Sequence, residues 1–320
     1  MRKLKHLWQI ALRYLRPGSS LSFWYLPVSH DPQFEARGPG RYPVNFRRKA
    51  EYKGLDDNGI PIMDYGANIG RQYNACAISQ YALGLHALYL DSPTPQAKTL
   101  FLQQADWLKE NQIESPAGIQ GTWPLPFDMV GYRIKGPWIS SLIQSQAIST
   151  LLRAEAISGD SSYRGAADLA FESIRTPTSQ GGVTRFIGDH VIFEEAPSSP
   201  PSTVLDGFLY SFWGVYEYAL ATGSAEAEKM INGALDWLKE NIEDYDIGFW
   251  SRADVYRKSP PCPASRHYHQ VHSFLLSAIG SVFIDNQLQG YAAKWVRQDA
   301  NLIYRNLAKI YKIAYKIIFY

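Results

Sequence analysis

Apolar positions recur at helical spacing over most of this chain, and they do so in pairs. Ile78–Leu90 and Phe208–Ala221 each read as an apolar helix followed by a more polar one. The second helix closes both times on the same six residues: Asp106-Trp107-Leu108-Lys109-Glu110-Asn111 and, 130 positions later, Asp236-Trp237-Leu238-Lys239-Glu240-Asn241. A further helix over Ile139–Ile157 runs into Ser158-Gly159-Asp160, a stop followed by a new start. Recurring helix pairs with short joints predict a mainly α fold, an α/α toroid or incomplete barrel whose inner helices line a cleft. Period-two alternation predicts small β-hairpins at that cleft. One joins Gly182–Ile187 to His190–Glu195 across Gly188-Asp189, and another joins Ala50-Glu51-Tyr52 to Ile60–Met63 across Asp56-Asp57-Asn58-Gly59. Proline clusters at 197–201 and 260–263 mark ordered loops, where chemistry on such a scaffold usually sits.

Charge divides the chain into three stretches. Residues 1–60 form a basic N-terminal segment, acid-free over 1–30, that ends in the start of a hairpin; 61–285 carry the helix pairs. Residues 286–320 form a basic amphipathic C-terminal helix. Its stretch 291–320 holds Lys294, Arg297, Arg305, Lys309, Lys312 and Lys316 against Asp299 alone. Two readings stand for the ends: peripheral attachment to an anionic membrane surface, or packing on the body with the lysines in water. No apolar run is long enough to span a bilayer, and the N-terminus is not read as a signal peptide, so a cytoplasmic, membrane-peripheral protein is expected.

The 320 residues are 46% hydrophobic and 19% charged, which supplies a core and excludes general disorder. A net charge of +2 argues against a nucleic-acid binder. Twenty-one Tyr, 9 Trp and 14 Phe are enough to fill a core and also to stack on sugar rings. Cys76 and Cys262 exclude a disulfide scaffold and read as free thiols. Phosphate loops, dinucleotide-binding glycines and nucleophile elbows are absent, and His190, His267, His269 and His272 lack the partners of a metal site. No cofactor or metal is expected. The dense clusters are Glu194-Glu195-Ala196-Pro197, Trp250-Ser251-Arg252-Ala253-Asp254 and Arg266-His267-Tyr268-His269.

These clusters belong to an ordered set of motifs. Tyr73-Asn74, Ser79-Gln80-Tyr81-Ala82-Leu83-Gly84, Gly121-Thr122-Trp123-Pro124-Leu125-Pro126 and Gly136-Pro137-Trp138 come first. Gln146-Ala147-Ile148-Ser149, Glu194-Glu195-Ala196-Pro197, Leu205-Asp206-Gly207-Phe208-Leu209-Tyr210-Ser211 and Ala264-Ser265-Arg266-His267-Tyr268-His269 follow. In this order, over roughly 60–285, the chain resembles the C-terminal catalytic region of D-glucuronyl C5-epimerases, which convert glucuronate to iduronate within heparan-type polysaccharides. The resemblance implies removal of the weakly acidic C5 proton by one group and its return by another across the ring. Cations around the carboxylate would stabilise the enolate-like intermediate. It also implies three tyrosines and an acidic residue. Tyr268 and Glu195 match one tyrosine and the acid, with adjacent arginines expected to lower the phenol. Ala196 and Ala253 stand at the other two tyrosine positions, although an ungapped count back from Tyr268 puts Trp250 in place of Ala253.

Arg252 and Arg266 are expected to clamp the substrate carboxylate in the same cleft, with His269, Tyr73, Trp138 and Tyr210 as further substrate contacts. The two alanines read as an inactivated form, or as a homologue that has lost or relocated its chemistry. The expected partner is a uronate-containing polysaccharide or lipid-linked glycan, with a homodimer compatible. A uronate polysaccharide lyase and a non-catalytic glycan-binding homologue remain the alternatives.

Overall fold

A computed structural model describes residues 23–66 and 69–319. Eight of its helices pair along the chain: α1 (Ala75–Asp91) with α2 (Pro95–Glu110), and α3 (Ser141–Ser158) with α4 (Ser162–Arg175). Next come α5 (Leu205–Thr222) with α6 (Ala225–Asn241), and α7 (Arg266–Val282) with α8 (Asn286–Ala300); a further helix, α9 (Leu302–Phe319), follows. The first member of each pair packs on the first member of the next, giving the succession α1, α3, α5, α7. These inner helices are buried on nearly every side: α1 buries every residue from Ala75 to Ala87. The second members bury only a stripe, as α2 does with Phe101, Gln104, Ala105 and Leu108. The result is an incomplete α/α toroid. Both copies of the repeated hexapeptide end outer helices, where Trp107 meets Tyr73 and Trp237 packs on Phe208.

N-terminal residues complete the ring between α7 and α1. Strands β1 (Ser29–His30) and β2 (Val44–Asn45) lie against α7, and a 3₁₀ turn at Arg47–Glu51 packs on α1. Gly84 allows that approach, since a Cβ there would sit 2.5 Å from the Phe46 carbonyl oxygen. The turn also overturns one expected hairpin. Ala50 and Glu51 are helical, and around Asp56 only Leu55 and Pro61 bridge. The Asp56 carboxylate holds the Asn58 and Ile60 amides at 2.9 and 2.8 Å, which closes a tight loop rather than a strand turn. Ile62–Asp64 (β3) pairs forward with Arg71–Tyr73 (β4) instead. The other hairpin forms across Gly188-Asp189, from β5 (Thr184–Ile187) to β6 (His190–Phe193). A last one joins β7 (Arg252–Asp254) to β8 (Cys262–Pro263).

The C-terminal helix faces the opposite way from the reading in which it packs on the body with its lysines in water. Ala308, Lys312 and Tyr315 are its buried residues, while Ile303 and Ile310 are 75% and 66% exposed. Its lysine stripe turns towards the body because the surface beneath is a polar cavity, and its apolar stripe turns to solvent. Lys294 is engaged by Asp246, and Arg305 lies 3.8 Å from the Asp299 carboxylate. The acid-free N-terminal segment lies outside the described residues up to position 22. Among the described residues no helix is long and apolar enough to cross a membrane.

Within the ring, Arg153 of α3 is fully buried and forks onto Glu217 of α5 at 2.5 and 2.8 Å. It also donates to the carbonyls of Ser149 and Gly40, which ties the N-terminal segment to the two inner helices. Arg153→Met should cost about 3–5 kcal/mol in thermal or denaturant unfolding, because Glu217 is left buried and unpaired. Arg153→Met combined with Glu217→Leu should recover most of the loss.

Candidate active site

The site begins at the end of β6, where two successive glutamates point to different tasks. Glu194 is buried and structural. Its carboxylate takes the Arg185 guanidinium at 2.7 Å, the Thr203 amide and hydroxyl both at 2.9 Å, and the Ser202 hydroxyl at 3.3 Å. That staple fixes the proline loop that follows. Glu195 points the other way, against the first turn of α5, where a Cβ on Gly207 would lie 2.3 Å from its Oε2. The glycine of the Leu-Asp-Gly-Phe motif therefore makes room for this carboxyl.

Glu195 opens into a cavity of about 260 Å³. Asp206 from α5, Ala253 and Asp254 from β7, Tyr268 from α7 and Tyr132 from the loop before α3 share its wall. Lys312 and Lys316 of α9 close one side. Tyr132 donates its hydroxyl proton to Asp254 at 3.0 Å, and Lys312 donates to the Cys262 thiol sulfur at 3.3 Å. Behind Asp206 lies fully buried His272, with Nε2 3.5 Å from the carboxylate and Nδ1 2.9 Å from the Ser251 hydroxyl.

Neighbouring carboxylates disfavour the ionisation of Glu195. Burial, reinforced by the charges of Asp206, Asp254 and Glu194, pushes Glu195 well above its ordinary value, and its Oε2 has no hydrogen-bond partner. Asp254 is raised by burial, against which Tyr132 and Lys312 act. Tyr268 is also pushed well up, by burial first and then by Asp206 and Glu195. The expectation that arginines lower this phenol fails, because no arginine faces it from this wall. Tyr268 is a protonated phenol, suited to giving a proton.

The structure thus brings Glu195, Tyr268 and Ala253 together. Ala196 is fully buried behind the wall, packed against Tyr132 and Val204, so its methyl supports the cavity without facing it. Arg252 points away: the strand is irregular between Arg252 and Asp254, and the guanidinium donates to the Arg257 and Asp244 carbonyls. Arg266 is held by Asp299 at 2.7 and 3.2 Å and lines a neighbouring cavity instead.

His269 is internal. Its Nε2 donates to the Trp295 carbonyl at 3.0 Å, so Nδ1 accepts from the Ser251 amide and hydroxyl. The ring stacks on Trp250 at 3.7 Å, and burial brings its pKa down to about 3. Tyr210 is buried in a stack with Tyr42 and Phe46, and Trp138 is buried with Nε1 donating to the Phe127 carbonyl. Tyr73 lies apart, in a groove of about 700 Å³ beside Trp107, with its hydroxyl donated to Asp56. Among the described residues no three His, Cys, Asp or Glu converge as metal ligands.

Five charged or phenolic residues of this wall are not among the sequence candidates: Asp206, Asp254, Tyr132, Lys312 and Lys316. Asp206 and Asp254 each lie inside a recognised cluster of the sequence but carry no signal of their own there. Tyr132, between Gly131 and Arg133, carries no local signal. Lys312 and Lys316 were assigned to a surface, although their i,i+4 spacing puts both on one helix face.

Residues 118–297 match the family described as D-glucuronyl C5-epimerase C-terminus, which is more than half of the chain, and the chain belongs to that family. It is 29% identical over 215 residues to the D-glucuronyl C5-epimerase of Caenorhabditis elegans, covering 61% of this chain and 34% of that protein. It is 25% identical over 177 residues to an uncharacterised protein of Methanocaldococcus jannaschii, covering 54% of this chain and 56% of that one. The chain thus spans between a third and just over half of these relatives. A solved structure titled as a UGL variant with dGlcA-Glc-Rha-Glc overlays 70% of this chain and 61% of its own, with a TM-score of 0.47 and 19% identity. Helix α9 lies beyond the residues that match the family.

The raised carboxyl makes a pH prediction. The folded state holds the Glu195 proton more tightly than the unfolded chain, whose value is near 4.5, so stability declines as pH climbs from there towards the raised folded value. Glu195→Gln should therefore melt higher than the parent at about pH 7 and level with it at about pH 4. An equal shift at both pH values would mean that the carboxyl is ionised in the fold.

Proposed function

We propose that this chain exchanges the C5 proton of a glucuronate unit within a polysaccharide or lipid-linked glycan, and so inverts that carbon. The observation that carries the reading is the single small cavity combining two phenols, three carboxylates and two lysines. In this reading the Tyr132 oxygen takes the C5 proton while passing its own to Asp254, to which it is already bonded. Lys312 and Lys316 hold the substrate carboxylate as the electron pair of the broken C–H bond moves onto it. Tyr268 gives its proton to the other face of C5, which completes inversion. Asp254 is left protonated and Tyr268 ionised, and proton exchange with water restores both.

Tyr132 then stands in for a missing family phenol. Its ring packs on Ala196, a position where a tyrosine side chain would compete for the same volume. That favours relocated chemistry over a lost one. Ala253 lies on the wall itself and leaves room for substrate.

In deuterated water with a uronate polymer, the parent chain should place deuterium at C5 without cleaving the polymer. Tyr132→Phe and Tyr268→Phe should each lower that exchange by about 10²–10⁴-fold. Ultraviolet-absorbing unsaturated ends would replace this reading with a lyase. Binding with neither product would leave a glycan-binding homologue.

Membrane contact belongs to the same proposal, supported by the solvent-facing apolar stripe of α9 rather than by its lysines. Co-sedimentation with neutral and anionic vesicles should be alike and should be lost in Ile303→Glu/Ile310→Glu. Binding to anionic vesicles alone would return the role to charge.

A further inference from the structure

A second cavity, of about 300 Å³, adjoins the first and has the opposite electrostatic character. Arg266, Arg305, Lys309 and Lys312 line it, and no Asp or Glu does. Ser265 and Lys312 line both cavities, so the two are neighbours across a shared wall. Asp299 sits behind the arginines and orients them. It takes Nε and Nη2 of Arg266 through its carboxylate, and Nε and Nη2 of Arg305 through its backbone carbonyl at 3.1 and 2.6 Å. The same edge of each guanidinium is thus spent on Asp299.

Lys309 meets no hydrogen-bond or ion-pair partner among the described residues. Of the four cations around this concavity, Asp299 faces Arg266 and Arg305 and Asp254 faces Lys312 from the other cavity, so Lys309 is left without a carboxylate among the described residues and an entering anion is favoured there. The α7 N-terminus, capped by Ser265, opens at the same place and adds positive potential. The Tyr25 ring, 39% exposed on this wall, offers the flat face that a sugar stacks on.

We infer that this cavity is an oxyanion-binding subsite for a carboxylate, sulfate or phosphate on the sugar next to the one held beside Glu195 and Tyr268. The inference rests on the proposed function for its glycan and on the cavity alone for its anion. The glycan is therefore polyanionic: one charged group enters the proton-handling cavity, and a second is read one unit away.

Lys309 is the residue to change, because nothing in the fold depends on its charge. Binding to Lys309→Glu and the parent should be measured by calorimetry with a free uronate monosaccharide, a uronate oligosaccharide, a neutral oligosaccharide of equal length and inorganic phosphate. The substitution should weaken the uronate oligosaccharide about tenfold or more and flatten its salt dependence, while leaving monosaccharide and neutral-sugar binding unchanged. Lys309→Ala should fall between.

Uronate oligosaccharide and phosphate binding both indifferent to Lys309→Glu would overturn the subsite while leaving the proposed function standing. Equal loss for monosaccharide and oligosaccharide would also overturn it, since the two cavities would then be one site. Lys309-dependent phosphate binding with an indifferent oligosaccharide would keep the anion chemistry and assign it to a free ion. If no uronate glycan binds but phosphate does so through Lys309, the proposed function fails and the oxyanion site survives.

Discussion

A helix surrounded by protein on every side cannot turn its polar residues to water, and the inner helices of this ring carry many. Several of the largest are partnered across the ring. Arg153 of α3 forks onto Glu217 of α5, and Ser211 of α5 donates to Ser141 of α3 at 2.8 Å. Gln146 of α3 accepts from Gln80 of α1 at 3.0 Å, and Gln144 reaches the Gly121 carbonyl in the loop before α3. Apolar packing alone tolerates sliding and repacking. These directional pairs set the register of three successive inner helices.

The site inherits that rigidity. Asp206 and Gly207 open α5, Tyr268 opens α7, and Glu195 ends a hairpin whose next loop is stapled by Glu194. None of these backbones is free to relax when like charges crowd. The charges of Asp206, Asp254 and Glu194 therefore add to burial in holding the proton on Glu195, while Asp254 is bonded by Tyr132 and faced by Lys312. A looser shell would let the carboxylates swing into water and ionise independently.

What was legible in the sequence follows from the same physics. Helix pairing and the hairpin at Gly188-Asp189 are local signals, and both formed where expected. The Glu195, Ala253 and Tyr268 wall came from motif order, which records spatial proximity indirectly. Arg252 and Arg266 were misplaced because a long side chain's direction depends on the partners that capture it: Arg252 turns to loop carbonyls, and Asp299 is 33 residues from the arginine it holds. Asp56 similarly defeated an alternating pattern by closing its own loop. Tyr132 reaches Asp254 across 122 residues, a contact that no window along the chain contains.

The reversed face of α9 divides the work of the molecule between two separable parts. In the proposed reading, proton transfer belongs to the ring, whereas much of the positive charge that would recognise an acidic sugar is lent by α9. Such an arrangement is modular in an evolutionary sense. Under that proposal, replacing the eighteen residues of α9 would retune which anionic polymer is accepted, while the buried polar spine of the ring stays untouched.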